Sequence, residues 1–186
     1  MNFEIIESKQ TQPESGNLDL VGICAAEKAS ADRTARLEKT LKATDEKVES
    51  FSEKIEINAS PQDVWKLIGR FDEMKWHPAL ESGKVYQNPE GKTVRELVAK
   101  GGSPKFVEQL LHSDAKSITY KMTEGLPASP TATLKVEANP KGGTTVTWSG
   151  EMETSKLDAA TVKGVKTGVS GFYRAGLESI RTKLEK

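Results

Sequence analysis

Few residues in this chain are able to do chemistry. There is one cysteine, Cys24, and there are two histidines, His77 and His112. A lone cysteine cannot close a disulfide within the chain, and the three residues lack structural-zinc spacing, so neither a metal nor another cofactor is expected. The sequence contains no nucleophile elbow, no glycine-rich phosphate loop and no paired-histidine metalloprotease helix. What remains is acid–base work by a carboxylate held in an apolar place. Glu108 is the first candidate. In Lys105–His112 (KFVEQLLH) it shares parity with Phe106 and Leu110, which points it inward; the other reading is a strand-edge glutamate in solvent. Buried carboxylates are rare without a partner, and a cation such as Arg95 would offset the lost water. His112 can share the same face near its end. His77 precedes Pro78 in a loop, where capping a helix or meeting solvent is favoured over chemistry. It is the second catalytic candidate.

These residues must be positioned by the elements around them. Phe51–Asn58 (FSEKIEIN) alternates apolar and charged residues and predicts a half-buried strand. Ser60 as N-cap, Pro61 at the first helical position and Asp63 beyond it start a short helix over 61–69, on which Val64, Leu67 and Ile68 follow helical spacing. Phe71–Trp76 predicts a second short helical turn, stopped by His77–Pro78. From 80 to 151, alternating segments are separated by turns such as Asn88–Gly91 and Asn139–Gly143, the pattern of an antiparallel meander. Ile118, Tyr120 and Met122 share one face, Ala132, Leu134 and Val136 another, and Val146 pairs in parity with Trp148. From Ala159 onward, apolar residues recur every three or four positions, predicting one amphipathic helix about 40 Å long that Asp158 can cap. Gly164, Gly168, Gly171 and Gly176 each cost this helix up to ~1 kcal/mol relative to alanine. Close approach to the sheet is one reason for keeping them; room for a bound molecule is the other.

The 186 residues carry 27 basic and 27 acidic side chains, for a net charge of zero. That balance excludes a dedicated nucleic-acid binder, whose affinity rests on excess positive charge. No apolar run is long enough to span a membrane. The balance is also uneven along the chain. Residues 1–50 hold seven basic and ten acidic residues and a single aromatic, Phe3. Residues 8–17 have linker composition, and 25–50 favours helix with only Leu37, Leu41 and Val48 to bury. The division expected is a polar N-terminal extension over 1–50, partly helical or disordered, and one folded domain over 51–186. Leu18–Ala26 (LDLVGICAA) is too short and polar for a signal peptide and lacks a basic flank. The expected location is therefore cytoplasmic; a periplasmic one requires a mis-assigned N-terminus.

A strand, two short helices, a six-strand meander and a long C-terminal helix form the order of the α+β helix-grip fold. Ile55–Trp65 (IEINASPQDVW), Trp76–His77–Pro78, Val107–Leu110 followed by Ile118–Tyr120, Thr145–Trp148 (TVTW) and Gly171–Leu177 (GFYRAGL) resemble the START/Bet v 1-like (SRPBCC) superfamily in its bacterial polyketide cyclase/dehydrase and lipid transport branch. The GFYRAGL ending and Pro127–Leu134 (PASPTATL) are most similar to MxaD-like proteins. The resemblance implies a curved antiparallel sheet of about seven strands around the C-terminal helix, with a cavity between them for a hydrophobic small molecule or lipid. It further implies that Leu110, Tyr120, Met122, Leu134 and Trp148 from the sheet, Leu126 from a loop, and Phe172 and Tyr173 from the helix line that cavity, with Glu108 contacting ligand or water. The alternative for each is ordinary core packing.

Three functions follow from this reading. The leading one is noncatalytic binding or carriage of a small hydrophobic ligand. The second is a polyketide cyclase/dehydrase-type enzyme, with Glu108 as base and Tyr120 or His77 orienting a poly-β-ketone. The third is an accessory protein of a bacterial oxidation system that meets a protein partner through residues 25–50.

Overall fold

The computed structural model describes residues 47–185, together with Arg33. The expected extension therefore lies outside the described residues apart from Arg33 and its last few positions, as does the partner segment for the most part. Those last positions belong to the first strand, β1, which runs Val48–Ile57. Helix α1 (Pro61–Ile68) follows, then strands β2 (Leu80–Gln87), β3 (Thr93–Ala99), β4 (Lys105–Ser113), β5 (Ser117–Glu124), β6 (Thr131–Ala138) and β7 (Thr144–Glu153), and finally helix α2 (Ala159–Leu184).

All seven strands form one antiparallel sheet in the order β1-β7-β6-β5-β4-β3-β2. Strands β1 and β2, neighbours in sequence, thus stand at opposite edges, and residues 58–79 cross between them. The inner face is built by parity. Trp148 faces Leu134, which faces Ile118; in the next layer Phe51, Gly150, Ala132, Tyr120 and Leu110 follow one another across five strands. The curled sheet presents this face to α2, whose buried residues are Val165, Tyr173, Gly176, Leu177 and Ile180. Helix α2 has 26 residues, about 39 Å at 1.5 Å per residue, and Thr161 N donates to the Asp158 carboxylate at its start. Lys166 pairs with Glu49 and Arg174 with Glu53, steering the helix along β1. Among the described residues no helix is long and apolar enough to cross a membrane.

Helix α1 starts as its sequence dictates. Ser60 Oγ accepts from Asp63 N at 3.1 Å, Pro61 follows, and Val64 and Ile68 are buried. The predicted helical turn over Phe71–Trp76 is instead a run of tight turns. A helix there would need the Phe71 carbonyl to accept from Lys75 N. The Arg95 guanidinium takes that carbonyl at 3.0 Å, and Lys75 N donates to Glu73 Oε1. The carbonyl is thus anchored by a residue far along the chain, and Lys75 N is turned to a side chain.

His112 also departs from its expected place. Its neighbour Leu110 pairs with Tyr120, but His112 pairs with Thr119, because a β-bulge inserts an extra residue between them. The bulge reverses parity, so His112 is exposed on the outer face, beside Asp114 at 3.3 Å.

Candidate functional site

Between the sheet and α2 lies a cavity of about 230 Å³. Leu97 of β3, Phe106 and Glu108 of β4, Tyr120 and Met122 of β5, Ala132 of β6, and Leu126 and Pro130 of the β5–β6 loop form one wall. Gly164, Val165, Gly168, Val169, Phe172 and Tyr173 of α2 form the other.

The helix glycines divide by their surroundings. A Cβ built at Gly176 would stand 2.6 Å from His77 Cδ2. At Gly164 and Gly168, which line the cavity, it would meet nothing within 4 Å. Gly176 is thus explained by close packing, while Gly164 and Gly168 are exposed helix positions on the α2 side of the cavity with open space around them.

Of the sequence-predicted ligand contacts, Glu108, Tyr120, Met122, Leu126, Phe172 and Tyr173 line the cavity. Leu134, Trp148 and Leu110 do not. Leu134 and Trp148 are buried in the core, Leu110 packs against it half-buried, and Trp148 stacks on Tyr173 with ring centroids 4.3 Å apart. Parity selects the face of a strand, but the position along the strand decides whether a residue meets the cavity. Leu97, Phe106, Pro130 and Val169 were not anticipated as lining residues. Phe106 shares the parity of Glu108 and was accessible to that signal; Pro130 in its loop was not.

One part of the wall is polar. Glu108 is buried, and Arg95, opposite it in the β3–β4 register, donates from Nε to Glu108 Oε2 at 2.6 Å. The guanidinium also lies over the Phe71 and Tyr120 rings, at 4.3 and 4.7 Å from their centroids. Arg95 is thus the cation that compensates the buried carboxylate. Nearby, Trp148 Nε1 donates to the Tyr120 hydroxyl at 2.8 Å. Burial pushes the Tyr120 phenol well above its ordinary range, and the neighbouring Tyr173 and Glu108 add to the shift. Burial, followed by the Glu108 charge, raises Tyr173 as well. Both tyrosines are therefore neutral hydrogen-bonding groups at ordinary pH.

His77 is neither a helix cap nor in contact with solvent. It is 1% exposed, its ring stacks on Phe172 at 3.7 Å, and it does not line the cavity. Ala79 N donates to Nδ1, so the proton sits on Nε2, which bonds the Phe172 carbonyl at 2.9 Å. With both nitrogens engaged, its position suits holding α2 against the 70–79 turns; Ser179 Oγ, donating to the Trp76 carbonyl at 2.7 Å, adds a second tie. Burial lowers its pKa to about 4. Among the described residues no group of His, Cys, Asp and Glu side chains is placed to hold a metal ion.

This architecture recurs among solved structures. An uncharacterized protein of Bacillus thuringiensis superposes with a TM-score of 0.63 at 24% identity, covering 74% of this chain and 100% of that one. The ZhuI aromatase/cyclase of Streptomyces sp. R1128 gives 0.61 at 12% identity, covering 75% and 94%. Ara h 8.0201 gives 0.53 at 19% identity, covering 72% and 98%. These are likenesses of fold. No curated protein matches the sequence. Residues 48–185 match the family model described as polyketide cyclase / dehydrase and lipid transport, and the chain belongs to that family.

Proposed function

We propose that this protein binds or carries a small hydrophobic ligand in the cavity between the sheet and α2. The observation that carries the reading is the cavity itself: about 230 Å³ walled almost wholly by apolar side chains. Protein interiors tolerate few voids larger than a water molecule. Gly164 and Gly168, on its α2 side, carry no side chain to fill it, at a cost in helix propensity. A concave apolar site with a few polar groups is the general form of a small-molecule pocket, and the family description includes lipid transport.

Native mass spectrometry of the purified protein tests this, together with thermal shifts across lipid, quinone and polyketide panels. A co-purifying or stabilising ligand is expected, and Ala132→Leu, which adds volume to the wall, should abolish it. A cavity that stays empty, with no shift from any panel, overturns the reading.

A cyclase-type enzyme is the second reading. It is favoured by the Glu108 carboxylate on the cavity wall near the Tyr120 and Tyr173 hydroxyls, and by the fold likeness to the Streptomyces aromatase/cyclase. It requires turnover of a carbonyl substrate that Glu108→Gln reduces while binding survives. Equal loss of both leaves binding alone.

A further inference from the structure

We infer that Glu108 makes this cavity selective for a compact neutral ligand that carries a hydroxyl, and sets it against a carboxylate of the same shape. The inference rests on the cavity-binding reading above and narrows its ligand class.

The polar end of the cavity is made of acceptors and neutral donors. Glu108 Oε2 is occupied by Arg95 Nε. Oε1 has no hydrogen-bond donor among the described residues, and no fully buried side-chain oxygen there lacks a partner, so Oε1 is open to the cavity. The Tyr120 oxygen already accepts from Trp148 Nε1 and its hydroxyl meets that of Tyr173, which leaves one phenol proton of the pair to donate. A ligand hydroxyl satisfies both groups at once, donating to Oε1 and accepting from a tyrosine.

A carboxylate satisfies only half of this arrangement. No Lys, Arg or His lines the cavity among the described residues. Arg95, the cation bonded to Glu108 and to the Phe71 carbonyl with its faces on Phe71 and Tyr120, does not itself line the cavity. An anionic head therefore meets the Glu108 carboxylate and no lining cation among the described residues. Size sets a second limit. A dry cavity of roughly 150 Å³ holds benzene; 230 Å³ suits about one ring more.

Calorimetric titration of the full chain at pH 7 with 2-naphthol, naphthalene and 2-naphthoate tests the inference. 2-Naphthol should bind about tenfold tighter than naphthalene, the scale of one hydrogen bond to a charged group, and 2-naphthoate weaker than naphthalene. Naphthoate binding as tightly as naphthol, or naphthalene matching naphthol, overturns the selectivity and leaves the cavity reading standing. Failure of all three to bind overturns the selectivity, while the cavity reading falls only if the wider panels also produce no shift. In Glu108→Gln, with its fold checked by circular dichroism, naphthoate should gain at least tenfold relative to naphthalene; an unchanged ratio overturns the role of Glu108. If that variant does not fold, the wild-type series decides by itself.

Discussion

Arg95 Nε and Glu108 Oε2 meet at 2.6 Å across the β3–β4 register, with both side chains buried. The same carboxylate lines the cavity, and the same guanidinium takes the Phe71 carbonyl from the turns that follow α1. One ion pair thus joins the cavity wall to the segment that crosses from β1 to β2.

Removing half of this pair leaves a buried charge without its partner, which costs more than the pair contributes. Arg95→Met should destabilise the protein by about 3–5 kcal/mol. Adding Glu108→Leu should recover most of the loss. Urea unfolding of both single variants and the double variant checks this, and additive losses would show that the two residues do not act as a unit.

The helix glycines make opposite predictions for the same substitution. Gly168→Ala meets open space and should raise stability by up to ~1 kcal/mol through helix propensity. Gly176→Ala places a methyl 2.6 Å from His77 Cδ2 and should lower both stability and the melting temperature. Melting curves of the two variants should move in opposite directions.

His77 predicts a specific acid sensitivity. Burial lowers its pKa from 6.5 to about 4. The unfolded chain therefore binds the proton first as the pH falls, so this contribution is complete above pH 6.5 and is lost progressively toward pH 4. Over the whole window the loss is on the order of 3 kcal/mol. The slope of unfolding free energy between pH 6.5 and 4 should be shallower in His77→Gln than in the wild type.

Trp148 is expected to be structural rather than a ligand contact. Trp148→Phe removes the donor to the Tyr120 hydroxyl and part of the stack on Tyr173. It should lower stability by about 1–3 kcal/mol, while ligand affinity, measured by titration at a temperature where the variant is folded, changes little.

The path of the chain was legible in the sequence because it rests on local signals. The Ser60–Pro61–Asp63 start, the alternating strands with their glycine turns, and the three-to-four spacing in α2 each specify an element by periodicity or capping, and the ordered motifs indicated the helix-grip arrangement. Glu108 and its compensation by Arg95 were also accessible, since strand parity turns a side chain inward and a buried carboxylate needs a cation. The misreadings share a cause. In the Phe71–Trp76 turns the Phe71 carbonyl is bound by Arg95, a residue far along the chain, and Lys75 N by the Glu73 side chain. His112 lay beyond a bulge that no periodicity announces. His77 looked like a loop residue, and it is enclosed by α2, with Gly176 beside the ring, together with Trp148 of β7.

The sequence by itself therefore determined the order of the strands and the long helix and the face each strand turns inward as far as its bulges, because neighbouring residues and simple periods carry that information; it offered Glu108 as an inward carboxylate with Arg95 as its cation, beside the alternative of an exposed strand edge. Only the tertiary structure decided which inward residues meet a void and which meet one another. That outcome depends on how far along each strand the helix crosses and on where it lacks side chains. Trp148 and Leu134 are covered, Met122 and Phe106 are not, and the open space faces the free side of Glu108.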